Sequence, residues 1–151
     1  MKNKVKGFKQ NLLKRIMKII TITPDKNKAL SILKMAELTI DMIKTIDVEK
    51  FATNITKEYY EVIRELISVI VLLDGFKIVG EKAHKAMIDY LEEGYKQFTK
   101  KEIMLINELR DLRNRIAYNG FFVKKEFISN KLQTINQIIK KLKEIIKLCL
   151  C

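Results

Sequence analysis

Apolar residues recur along the chain at helical spacing, three or four positions apart, from one end to the other. Val5, Phe8, Leu12, Ile16, Ile19 and Ile20 make the first stripe and predict an amphipathic helix. Thr23-Pro24-Asp25 reads as a stop and restart, with Thr23 as N-cap and Pro24 at the first helical position. A second helix then runs to about Ile46, with Ile32, Met35, Ala36, Thr39, Ile43 and Ile46 on one face. Asp47 caps a third region, a short lead-in followed by a long helix from about Thr56 to Leu73 that Asp74-Gly75 ends. Residues 81–93 form a short fourth helix. Thr99 and Glu102 stand at capping-box spacing and open a fifth, which ends at Asn119-Gly120. Phe121, Phe122 and Val123 make an apolar connection expected to tuck into the core. The last helix covers about Lys125 to Leu148, with Ile128, Leu132, Ile135, Ile139, Leu142 and Ile146 in register. The reading is an all-α, up-and-down helical bundle of five to six helices, with residues 1–151 as one domain.

Composition supports that reading. One proline and five glycines are too few turn-makers for a protein built of many hairpins. The longest apolar run, Leu66 to Leu73, contains Ser68 and lies between Glu65 and Asp74. It is far short of the ~20 residues that span a bilayer, so a membrane protein is not expected. Lys14, Arg15 and Lys18 interrupt any signal-peptide core. Cys149 and Cys151 can neither staple the fold nor hold a structural zinc by themselves, which suits a reducing, cytoplasmic setting.

Charge adds the first functional hint. The net charge is +12. Residues 1–23 hold seven Lys or Arg and no acid, and residues 121–151 hold seven against two acids. A further excess lies around Arg110–Arg115. This distribution suits a polyanion or an anionic membrane surface, or it is simply solvated helix face.

The fifth helix carries the most informative stretch, Leu109 to Gly120. On a wheel of about 100° per residue, Leu105, Leu109, Leu112 and Ile116 form a stripe toward the core. Arg110, Arg113 and Asn114 share a second side with Ile103, Ile106 and Ala117, and Asn107 and Tyr118 flank it. Guanidinium groups on a partly apolar side suggest a buried seam, a cleft or a dimer interface. The planar fork of Arg grips phosphate by two parallel hydrogen bonds. The alternative is that Arg113 pairs with an acid inside the bundle and Asn114 caps a neighbouring backbone. His84, the one histidine, sits on the Met87, Ile88 and Leu91 side of the fourth helix and reads first as a hydrogen-bonded core residue. If it lay within reach of Arg113 it would supply a base. The chain has no phosphate-binding glycine loop, no His/Cys metal constellation and no serine-nucleophile signature, so neither metal nor cofactor is expected.

The string Leu-Arg-x-x-Arg-Asn-x-Ile-x-Tyr-x-Gly, from Leu109 to Gly120, resembles the penultimate-helix motif of HEPN domains. The resemblance extends upstream through Tyr59-Tyr60, Ile63-Arg64-Glu65-Leu66, Asp74-Gly75-Phe76-Lys77 and Ala83–Leu91, over about residues 56–123. It implies a helical bundle that forms a homodimer, with two motifs meeting in one site. Many such proteins are metal-independent endoribonucleases of toxin–antitoxin or defence systems. Others bind RNA or nucleotides, or act only as partners, for instance of a nucleotidyltransferase-type antitoxin. Carried over, Arg113 matches the motif Arg, Asn114 its polar neighbour, and Tyr118 stands where the family has His. Arg110, Arg113 and Arg115 become the candidate nucleic-acid contacts, and Arg113, Asn114 and Tyr118 the candidate catalytic set. A phenol with an ordinary pKa near 10 is a poor base at neutral pH, so weak or absent cleavage with retained binding is expected. A peripheral membrane-surface role for the basic end helices is a further reading.

Overall fold

The computed structural model describes residues 19–151. Its elements are β1 (Ile19–Thr21), α1 (Lys26–Lys44), α2 (Val48–Leu73), β2 (Phe76–Ile78), α3 (Ala83–Gly94), α4 (Lys100–Asn119) and α5 (Lys125–Leu150). The described residues form an all-α helical bundle with one small two-stranded sheet.

The centre of the bundle is α2. It packs against all four other helices. Its sequence explains why: Val62, Ile63, Leu66, Val69 and Ile70 are completely buried and share one broad apolar face, about 120° wide on a wheel of 100° per residue. Thr56, also buried, returns its hydroxyl proton to the Ala52 carbonyl at 2.8 Å. Around this helix the buried side chains of α1, α3, α4 and α5 join in one continuous apolar cluster.

Asp47 caps α2 by accepting from the Glu49 amide at 2.9 Å. The expected lead-in and long helix are one element, Val48–Leu73, with a kink at Phe51 (φ −115°, ψ 24°). The helix ends at Asp74, and Gly75 turns the chain at φ 88°. The Asp74 carboxylate then accepts from the phenols of Tyr90 (2.5 Å) and Tyr95 (2.8 Å), which fixes α3 against the end of α2.

Several boundaries differ from the sequence reading. The first expected helix lies largely outside the described residues, and its last positions, Ile19 and Ile20, belong to β1. They pair antiparallel with Ile78 and Lys77. A β-branched Ile-Ile-Thr run fits a strand edge once a partner strand is near, and that partner comes from nearly sixty residues away. Asp25, not Thr23, is the N-cap of α1, accepting from the Lys28 amide at 3.0 Å. The Ile22 amide donates to the Gly75 carbonyl at 2.9 Å and keeps that residue with the sheet. Met35 is not on the core face of α1 but 58% exposed, beside the exposed Leu38 and Met42. Leu112 and Ile116 are half-buried rather than core residues, because α4 runs beyond the packed part of the bundle there.

The start of α4 is a complete capping box. Thr99 accepts from the Glu102 amide at 3.1 Å, and Glu102 accepts from the Thr99 amide at 2.8 Å. The same Glu102 oxygen accepts from the Lys141 ammonium of α5 at 2.6 Å, although Glu102 is only 3% exposed. Lys141 also donates to the Gln97 carbonyl at 2.9 Å. Burial alone would raise the Glu102 carboxyl, but Lys141 and Thr99 outweigh it and hold it below the ordinary carboxylate range. Thr99→Ala is expected to cost about 1 kcal/mol by loss of the cap. Lys141→Ala should cost more, about 3 kcal/mol, because it strands a buried carboxylate. Urea-unfolding midpoints of the two variants check both values and their order.

Candidate functional site

The residues singled out on α4 fall in two places. Arg113 points into the seam between α4 and α2, where its Nε donates to Glu61 Oε1 at 3.1 Å. Glu61 is one turn from Arg64 on α2, and Arg64 Nε donates to the other carboxylate oxygen at 2.8 Å. One carboxylate therefore holds two guanidinium groups from two helices. Arg110, one turn before Arg113, enters the same neighbourhood. Its outer nitrogen lies 3.3 Å from Asp111, while its Nε is buried with no hydrogen-bond partner.

His84, expected in the core, is instead half-buried on α3 and turned toward this seam. Its ring lies 6.2 Å from that of Tyr60, the residue next to Glu61. It is in electrostatic range of Arg64, Arg113, Arg110 and Glu61. Burial pushes the imidazole below its ordinary pKa, and the three arginines push it further down, while Glu61 pulls it up. The net effect favours the neutral imidazole.

The rest of the cluster titrates in step with its surroundings. Burial alone would raise Glu61, but the hydrogen bonds and charges of Arg64 and Arg113 bring it below the ordinary range. Tyr60 is pushed up to about 12 by burial, with Glu61 adding to the rise and Arg64, Arg110 and Arg113 opposing it. Glu65, one turn further along α2, is raised by burial, and its Oε2 is buried without a partner.

Asn114 is half-buried beside Arg113. Tyr118 is 79% exposed and lies about 140° around the helix from Arg113, so within one chain it is not in the seam. Arg115 is on the far side of α4, exposed, with its guanidinium 3.7 Å from the centre of the Phe121 ring. The expected apolar connection is buried only at Val123; Phe121 is half-buried and Phe122 is 83% exposed. The structure thus brings Arg110 and Arg113 together and leaves Arg115 and Tyr118 outside.

Two participants, Glu61 and Arg64, were not among the sequence candidates. The signal was available in part: Glu58, Glu61, Arg64 and Glu65 recur three or four apart and mark a polar stripe along a helix that is otherwise largely apolar in this stretch. Among the described residues no group of three or more His, Cys, Asp or Glu is placed to hold a metal ion. No helix of the described residues is long and apolar enough to cross a membrane. Compared with family models, curated proteins and solved structures, the chain matches none.

The shared carboxylate makes the site's titration testable. In Glu61→Gln the one group that raises His84 is gone, so the imidazole midpoint should fall further below 6.5; in Arg113→Gln it should rise. Because His84 and Glu61 are both depressed in the folded chain, each contributes stability that is full above its unfolded value, about 6.5 and about 4.5, and lost as pH falls through its folded value. Carbon-proton NMR titration of the single histidine measures the first pair of shifts directly.

Proposed function

We propose that the chain is a HEPN-type RNA- or nucleotide-binding protein of the cytoplasm. It would act as a weak or degenerate metal-independent endoribonuclease of a toxin–antitoxin or defence system. The observation that carries this reading is the cluster of guanidinium groups at the seam. Arg64 and Arg113 share one carboxylate, Glu61, in a half-buried place, and Arg110, 3.3 Å from Asp111, reaches the same neighbourhood with its Nε buried and without a hydrogen-bond partner. The guanidinium N–H groups that these pairs leave over suit an incoming phosphate, which accepts from such forks by paired hydrogen bonds.

The chemistry follows from the residues. In cleavage of RNA, the 2′-hydroxyl attacks phosphorus and gives its proton to a base, negative charge grows on the phosphoryl oxygens, and the bond from phosphorus to the 5′-oxygen breaks, leaving a 2′,3′-cyclic phosphate and a 5′-hydroxyl that takes up a proton. Arg113 and Arg110 are suited to that charge. The His84 imidazole, its pKa lowered chiefly by burial, is favoured in the neutral form that accepts a proton. Homodimerisation would bring Asn114 and Tyr118 of each copy to the shared cleft that the family resemblance implies.

One observation favours a second reading. Glu61 already satisfies Arg113 within the chain. On that ground the seam would be structural and the protein a non-catalytic dimeric module partnering a nucleotidyltransferase-type antitoxin.

RNA binding measured against salt separates the two. The first reading predicts affinity that falls steeply with salt, and a slope smaller by about 1 in Arg113→Ala. No RNA binding at about 50 mM salt would leave the second reading standing. Cleavage, if present in metal-free protein, should be lost in His84→Ala and retained in Tyr118→Phe; the reverse result would return the proton transfer to Tyr118.

A further inference from the structure

The turn between α4 and α5 is built in a way that the seam does not explain. Phe122 is 83% exposed and Tyr118 is 79% exposed, two large aromatic side chains left in water. The backbone that carries Phe122 is nevertheless fixed at both ends. On one side Gly120, at φ 61°, donates to the Ile116 carbonyl at 3.2 Å, and the Phe121 amide donates to the Arg115 carbonyl at 3.3 Å. These are the closing bonds of a helix C-terminus. On the other side Val123 is buried, and its amide donates to the Thr53 hydroxyl of α2 at 2.8 Å. Phe122 is thus an exposed ring on a pinned chain rather than a side chain on a loose loop.

Two exposed cations flank it in sequence, Arg115 and Lys124, while Lys125 is paired with Glu49. The Arg115 guanidinium lies against Phe121 at stacking distance. Lys124 is exposed directly after the buried Val123.

We infer that Tyr118, Phe121, Phe122 and Arg115 form a stacking platform for unpaired bases of single-stranded RNA, with Lys124 beside the backbone. Rings and a guanidinium plane offer flat faces to bases of any identity, and Arg115 and Lys124 supply positive charge for the phosphates. A duplex hides its base faces and gains nothing from such a surface. The inference rests on the RNA-binding reading above and extends it. The arginine seam holds a phosphate, while the turn at the end of the same helix holds the neighbouring bases.

The test uses the full chain and two fluorescent probes, an unpaired oligouridine of about 12 nucleotides and an RNA duplex of the same length. Phe122→Ala should weaken oligouridine binding about tenfold, with the salt slope and duplex binding unchanged. Phe122→Tyr should bind as the parent does, and Phe122→Leu, apolar but without a ring, should be as weak as Phe122→Ala. Circular dichroism of each variant confirms the fold, which an exposed side chain does not support. Unchanged binding in Phe122→Ala, full rescue by Phe122→Leu, or a preference of the parent for duplex overturns the platform alone. No binding of either probe by the parent overturns the platform together with the RNA-binding reading.

Discussion

Glu61 lies where three elements of the bundle have an interest in one negative charge. It sits on the central helix, one turn from Arg64, and it receives Arg113 from α4. Without it, two guanidinium groups from different helices would face each other half-buried, and repulsion between them would open the seam. With it, the seam closes, and His84 lies in electrostatic range of the arginines and of the carboxylate alike. On the proposed reading the same carboxylate would compete with an entering anion. A phosphate would have to replace one Arg–carboxylate contact with another of similar strength, so the net gain on binding would rest on Arg110 and on groups outside the seam.

The helices were legible because their signals are local. Thr99 and Glu102 stand three apart and cap each other as read, Asp47 caps α2, and Gly120 ends α4 in the left-handed conformation. What was not legible depends on distant partners. Ile19 and Ile20 continue a helical stripe in sequence, and only the presence of Lys77 and Ile78 makes them a strand. Thr23 is an acceptable cap, but a bond from Ile22 to Gly75 keeps Ile22 with the sheet, and Asp25 is the cap of α1.

The site was legible to the same extent. A wheel places Arg110 and Arg113 on a partly apolar side, and the structure puts that side against α2. The wheel could not name Glu61 or Arg64, which lie about fifty residues away. It could not orient His84 either, since a histidine on an apolar side reads as core until the opposite helix is known. Phe121 and Phe122 show the converse limit. An apolar pair is expected inside, yet the bonds that fix Gly120 and Val123 leave the intervening ring in solvent.

The tyrosines are unevenly shared between solvent and interior. The chain has five of them and no tryptophan. Tyr59 and Tyr60 are buried on α2, and Tyr90 and Tyr95 are tied to Asp74. Burial raises the pKa of all four. Tyr118 alone stands in open water, at the end of the helix that carries the candidate motif. The intrinsic ultraviolet emission of this protein should thus contain one component that an added quencher reaches freely, and that component reports on the end of α4 alone.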